Sequence, residues 1–395
     1  ECTIERTLYT LQNDWNLTLI GVGRNRNGDR QNLGIYMPEG TSANIKIINA
    51  DSNFVIWMLG NYETKETNFT LDKTQTEYKT FSNVKNGTNY SSVPFAGSVI
   101  QAEGEDVNKT YKIEVNYDSS VKPLDYYLYK DNEDDFMANW KLSQNDFGVI
   151  DCQAMQIIVP FIDIDKISTR TYSQAIGTLD ESLEYFMKII DRMDEILGVS
   201  INPESSLDQN VRMKYFAKAN GNKTSVGAYY TNNHIAVGSA SAWPLFTYGW
   251  GTLHECGHGY QGYLGQGSAN GLNMCLNETG NNVFAHYVQS DKTIYKAAGS
   301  NVGELKNIEN GRNAKRLNGQ DIFNNNNGTY TNTDEKLYMI VNMLDSFEGY
   351  KTYAKMYSYF RKSVYENGVN AYTIPEIYTM FFAETYGVNI MPYLY

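Results

Sequence analysis

The chain has 395 residues, 42% hydrophobic and 20% charged, enough for two or three structural units with cores of their own. Its net charge of −12 and pI near 4.9 exclude the basic surface that nucleic-acid binding requires. Its longest apolar runs, such as residues 156–164, fall far short of the roughly 20 residues of a membrane-spanning helix.

From about residue 17 to residue 129 the pattern is strand-like. Residues 45–48, 54–59 and 111–117 are short, β-branched or aromatic runs separated by Gly, Asn and Asp turns, which predicts an antiparallel β-sandwich over residues 1–130. The sequons at Asn16, Asn68 and Asn108 recur at a rate that an Asn- and Thr-rich chain produces by chance. Residues 133–142 predict a short helix and residues 157–160 a buried strand. The period then changes. Leu179, Leu183, Phe186, Met187, Ile190, Met193 and Leu197 form an apolar stripe at helical spacing. A Thr178/Glu181 capping box opens that helix and Gly198 closes it.

Residues 226–230 and 234–237 predict a hairpin across Thr231, Asn232 and Asn233. A helix from about Tyr248 follows and ends near a Gly-rich turn at 262–271. Further helices over 335–347, 352–365 and from about Pro375 to Tyr386 complete a mostly helical part with a small β-sheet, residues 131–395. Asn324 to Asn327 read as a solvated loop. The expected fold class is α+β in two domains.

One motif carries chemistry. Residues 251–261 read GTLHECGHGYQ, and His254 and His258, four apart, stand one turn above the other on one helix face. Their imidazoles can then share one zinc ion, with Glu255 beside the first of them placed to take a proton from metal-bound water. The chain has four histidines, and a chance HExxH in it is an event on the order of one in a few hundred. The cysteines, Cys2, Cys152, Cys256 and Cys275, allow three pairings among which the sequence does not choose. Cys256 falls between the two histidines and points away from their shared face, so it reads as a small buried thiol and not as a ligand.

A catalytic zinc takes three protein ligands and keeps one open position. Glu278 lies 20 residues beyond His258, room enough for a second helix to return antiparallel to the first. That spacing resembles the gluzincin peptidases, and the resemblance implies that Glu278 is the third ligand. It also implies that Asn282, one turn on, orients His254 by accepting its imidazole N–H, where those enzymes carry a carboxylate. More closely, HECGHGYQ at 254–261 is similar to the HExGHxxQ stretch of the enhancin-like, or M60-like, metallopeptidases, and Asn277-Glu278 with Asn282 resembles their second helix. The likeness extends from about residue 20 past residue 350, through LGIYMPEG at 33–40, Val93-Pro94-Phe95, and residues 123–129, 135–140 and 157–160. Cys256, in a position the family fills with an aliphatic residue, and Cys275 are departures.

The resemblance implies a zincin-like catalytic domain holding one zinc per chain. It implies an endopeptidase, secreted or at the cell surface, that cuts mucin-like O-glycosylated proteins, with Glu255 as general base. The composition agrees with life outside the cell: 32 tyrosines with many Asn, Thr and Ser make polar, aromatic surfaces suited to sugars or peptides. The chain opens on Glu1 and not on Met, as a mature or trimmed form does. Tyr230 and His234 are candidates for oxyanion or substrate contact, because the strand before the metal helix borders the substrate in such folds. Trp243 and Trp250 either stack on a sugar or, the commoner case, pack as buried aromatics against the helix. His286, eight residues past Glu278, reads as structural. Two other readings stay open: a glycan- or mucin-binding module with an inactive zinc site, and a gluzincin exopeptidase. Retention of Glu255 argues against the first. The absence of Asp and Glu from 237–250, where an anchor for a substrate amino terminus would stand, argues against the second.

Overall fold

Alternation of apolar and polar residues builds the N-terminal sheets. In Ser42–Ile48 and Thr110–Tyr117 every second side chain is buried, and the two strands pair antiparallel with Ile45 opposite Val115 and Ile47 opposite Ile113. The computed structural model describes residues 2–9, 31–48, 53–60, 66–72, 77–84, 92–98, 110–210, 214–220, 227–231, 234–237, 240–266, 276–297, 333–368 and 372–394. The expected turn at Asn232-Asn233, the Asn324–Asn327 loop, Asn16, Asn108, Cys275 and the Gly-rich residues 267–271 lie outside them.

The chain divides into two units. One takes the N-terminal strand, Asn25–Met187 and Met213–Thr247; the other takes Lys188–Arg212 and Tyr248–Tyr395. In the first unit, Cys2–Tyr9, Thr110–Tyr117, Ser42–Ile48 and Lys79–Ser82 form one four-stranded sheet, and Gln31–Asn32, Val93–Ser98, Phe54–Leu59 and Glu66–Leu71 form a second. Ile45, Ile47, Ile113 and Val115 of the first sheet and Phe54, Ile56 and Met58 of the second belong to one buried cluster.

A six-stranded mixed sheet follows, in the order Asp125–Leu128, Phe147–Asp151, Met155–Pro160, Tyr215–Ala219, His234–Val237 and Ala228–Thr231. Val149, Ile158 and Phe216 from it share a second cluster with Leu59, Val93 and Phe95. The hairpin expected over 226–237 is its antiparallel edge pair, Thr231 opposite His234. Helix α1 (Glu133–Ser143) is capped by Asn132, whose side chain accepts from the Asp135 N–H at 3.0 Å. Helix α2 is Ile164–Thr169 and α3 is Leu179–Leu197. Thr178 caps α3 as expected, its Oγ1 accepting from the Glu181 N–H at 3.0 Å.

The second unit is helical among its described residues. Helix α4 (Trp250–His258) is followed by α5 (Gly262–Gln266), α6 (Asn277–Ser290), α7 (Thr333–Asp345), α8 (Tyr350–Asn367), α9 (Ile374–Tyr386) and α10 (Met391–Leu394). Where a Gly-rich turn was expected from residue 262, a short helix stands instead. The buried guanidinium of Arg361 on α8 fastens this unit, donating to Asp208 Oδ1 at 2.7 and 2.9 Å and to the Leu197 and Gly198 carbonyls at 3.0 Å. A buried cation is tolerable because carboxylate and carbonyl oxygens surround it.

Candidate active site

Helix α4 presents His254 and His258 on one face, their ring centroids 4.8 Å apart. Glu278 enters from the first turn of α6. Its Oε2 lies 3.1 Å from His254 Nε2 and 3.5 Å from His258 Nε2. These three residues are the His/Cys/Asp/Glu group that can hold a metal ion among the described residues, all donor atoms lying within 4.8 Å of one another. Half-buried imidazoles and a Glu278 side chain 60% exposed leave one side of the cluster open to solvent.

What brings α6 so close is glycine. A Cβ on Gly257 would stand 2.4 Å from the Asn281 carbonyl oxygen, and one on Gly280 would stand 2.1 Å from the Gly265 carbonyl oxygen. The obstructing atoms are backbone, which cannot swing aside, so α4, α5 and α6 meet main chain to main chain. Glu278 is two residues from that contact.

The imidazoles are oriented by amides. Asn282 Nδ2 donates to the Glu278 carbonyl of its own helix at 2.7 Å, which leaves its Oδ1 facing His254 Nδ1 at 2.9 Å. His254 therefore carries its proton on Nδ1 and keeps the Nε2 lone pair for a metal. Gln261 Oε1 lies 3.3 Å from His258 Nδ1. Asn281, fully buried, places Nδ2 3.1 Å from His258 Nε2 and 3.3 Å from the His254 carbonyl. Burial, and then the neighbouring His254, hold the His258 imidazole below its ordinary pKa, in the neutral form that a metal ligand needs.

Glu255 is buried at 5% exposure, and its Oε2 has no hydrogen-bond partner among the described residues. Burial, and secondarily the charge of Glu278, raise its pKa from 4.5 to about 8. A cation among the three donors offsets both effects, so the orphaned carboxylate fits a metal centre. A group whose folded pKa is raised contributes full stability below its unfolded pKa and loses it as the pH climbs to the folded one. The metal-free protein is accordingly expected to lose roughly 3–5 kcal/mol between about pH 4.5 and 8. Thermal denaturation in chelator should show this slope in wild type and not in Glu255→Gln; parallel curves for the two would contradict it.

His234, on the strand His234–Val237 of the first unit, is buried, with Nδ1 3.2 Å from Thr231 Oγ1. Tyr230 is half-buried on the edge strand, its ring centroid 6.1 Å from that of Tyr215. Trp243 rests against Tyr172 at 4.8 Å with Lys166 over its ring. Trp250 departs from the buried packing role. It is 39% exposed, and its ring lies 4.6 Å from the His254 ring. Cys256 is fully buried and His286 half-buried, and neither is in the donor group found among the described residues.

The model of peptidase M60, enhancin and enhancin-like, matches residues 126–394. The chain belongs to this family. Membership in the M60 family makes it a metallopeptidase by descent and implies a metal cofactor. Among solved structures it is similar to a conserved protein of unknown function from Bacillus anthracis, at 14% identity and a TM-score of 0.72, over 99% of this chain and 75% of that one. It is similar also to the ZmpB metallopeptidase from Clostridium perfringens, at 13% identity and a TM-score of 0.68, over 97% and 73% of the two chains. The M60 catalytic domain of ZmpC from the same organism, solved with the sialyl T antigen, matches at 13% identity and a TM-score of 0.67, over 97% and 73%. At such identities the likeness is one of fold. No curated protein matches the chain.

Proposed function

We propose that this M60 protein is a zinc endopeptidase, secreted or held at the cell surface, that cleaves peptide bonds in mucin-like O-glycosylated proteins. The observation that carries the reading is the convergence of His254 Nε2, His258 Nε2 and Glu278 Oε2 on one point, with Glu255 buried beside them. Ligand atoms about 2 Å from a tetrahedral zinc stand roughly 3.3 Å apart. The separations of 3.1 and 3.5 Å from Glu278 to the two imidazoles suit that ion, one per chain. Residues 131–395 are read as the zincin-like catalytic domain, which the family match over 126–394 supports, and residues 1–130 as a β-sandwich that supports it.

A zinc ion held by these residues would polarise the scissile carbonyl and acidify the attacking water. Glu255, buried and 3.9 Å from His258 Nε2, takes the water proton on its carboxylate and hands it to the departing amine nitrogen. A cation among the three donors would bring its raised pKa down, leaving the carboxylate ionised and able to accept that proton at neutral pH. Asn282 holds His254 in the ligating tautomer throughout. Trp250, exposed beside His254, offers an aromatic face to a sugar or an apolar side chain of the substrate. Tyr230, His234 and Trp243 stay candidates for oxyanion or substrate contact. Glu255 argues against a non-catalytic binding module, and the acid-free stretch 237–250 against an exopeptidase.

Substrate class is tested by digesting an O-glycosylated mucin and the same mucin stripped of its glycans, with fragment ends read by mass spectrometry. The expected result is internal cleavage of the glycosylated form, at glycan-bearing sites. Trimming from the amino terminus would favour the exopeptidase, and equal cleavage of both forms would sink the glycan requirement.

A further inference from the structure

His254 has an evident orienting partner in Asn282; the second histidine is held by a longer chain of contacts. Gln261 is three residues beyond His258, on the same face where α4 gives way to α5, and is 5% exposed. Its side-chain Oε1 faces His258 Nδ1 at 3.3 Å. On the other side of that ring, Asn281 Nδ2 donates toward Nε2 at 3.1 Å, which a donor does only if Nε2 is unprotonated. The two contacts agree on one neutral tautomer, with the proton on Nδ1 and pointing at Gln261.

The Gln261 backbone is itself clamped. Its N–H donates to the Gly257 carbonyl at 2.9 Å, and its carbonyl accepts from the Gly265 N–H at 2.8 Å and from the Tyr357 hydroxyl at 2.6 Å. Tyr357 belongs to α8, 96 residues downstream, and is fully buried between the Tyr353 and Phe284 rings, at 4.9 and 6.0 Å. The same helix grips α5 a second time through Phe360, stacked on Tyr263 at 5.3 Å and 7°. A Cβ on Gly265 would stand 2.7 Å from Gln261 Cβ and 3.3 Å from the Tyr357 hydroxyl, so glutamine, glycine and tyrosine meet at one point.

We propose that Gln261 and Tyr357 are positioning residues for His258: Gln261 fixes its tautomer and ring tilt, and Tyr357 fixes the peptide that carries Gln261. The proposal rests on the metal reading above and adds to it that a C-terminal helix, far from the HExxH motif in sequence, tunes the second ligand.

The test measures zinc affinity by chelator competition, and imidazole tautomers by proton–nitrogen NMR, tractable with four histidines in the chain. Gln261→Leu is expected to weaken zinc binding about 10- to 100-fold. It should also speed exchange of the His258 Nδ1 proton while leaving that of His254 unchanged. Tyr357→Phe should weaken zinc binding several-fold. The double variant should bind no worse than Gln261→Leu alone, because the tyrosine acts through the glutamine. Tyr287→Phe, which removes a 2.8 Å bond to Asp345 elsewhere in the same unit, should lower stability and leave zinc affinity unchanged. Gln261→Leu binding zinc within twofold of wild type, or keeping the wild-type His258 proton, would overturn the role of Gln261. Additive losses in the double variant would overturn the route from Tyr357. A wild type that binds no zinc would instead count against the metal reading, and the tautomer of His258 in the metal-free protein would still decide the role of Gln261.

Discussion

Alanine at Gly280 is expected to abolish stoichiometric metal binding and to cost the second unit about 3 kcal/mol or more. The added methyl would stand 2.1 Å from the Gly265 carbonyl oxygen and 2.5 Å from its Cα. To make room, α6 must back away from α5 by more than an ångström, carrying Glu278 out of reach of two imidazoles it now meets at 3.1 and 3.5 Å. Alanine at Gly257 should do nearly as much from the other helix, against the Asn281 carbonyl at 2.4 Å. Gly251 is the control. It lies in α4, as Gly257 does, with nothing within 4 Å of an added Cβ, and alanine there should gain about 0.5–1 kcal/mol of helix propensity. Zinc content after dialysis and the melting temperature of each variant check the set. A Gly280→Ala protein that keeps one zinc per chain would show that α6 has slack which the packing denies.

Glu255→Gln is expected to lower the turnover of a cleaved peptide by about 10³-fold or more while zinc stays bound, since amide and carboxylate have the same shape and only the basicity is lost. A role in binding the metal would give the opposite pattern. Glu255 Oε2 stands 3.9 Å from His258 Nε2 and is not in the group that can hold a metal, which favours the proton-transfer role. The substitution should also raise the melting temperature of the metal-free protein above pH 8, because it removes a carboxylate that burial forces to ionise at about 8. Activity lost and stability gained in one variant is the mark of a group kept for chemistry at the expense of the fold. Equal kcat in the two proteins would remove Glu255 from the mechanism.

Much of the site was legible because its residues are close in sequence and periodic. Four-residue spacing put His254 and His258 on one face, and a 20-residue interval let Glu278 return on a second helix. Asn282 came from the resemblance to the gluzincin peptidases, which carry an orienting carboxylate one turn beyond that glutamate. Gln261 stood in the quoted motif without a role, although its i, i+3 relation to His258 was a readable signal. The need for glycine at 257, 265 and 280 was not readable, because it depends on which backbone lies opposite. Tyr357 was one tyrosine among 32, picked out only when tertiary packing brings it to Gln261.

The β-branched and aromatic runs of Phe54–Leu59 and Thr110–Tyr117 announced themselves as strands, and α3 and α9 were found nearly to the residue. Phe147–Asp151 and Tyr215–Ala219 were missed. Both are five residues long, and the second places Lys218 inside an otherwise apolar, wholly buried strand. The mixed strand directions of the six-stranded sheet have no counterpart in periodicity, since parallel and antiparallel neighbours bury the same side chains. Trp250 was misjudged for a related reason: a helix's first residue can turn either way, and only the His254 ring beside it shows which.

The most direct test of the metal-centred account is a zinc titration of chelator-stripped protein, with bound zinc and mucin cleavage followed in the same samples. Both should rise together and level off at one zinc per chain, and Glu278→Gln should bind zinc far more weakly and cleave nothing. Cleavage indifferent to zinc, or full zinc binding without His254, His258 and Glu278, would contradict the account.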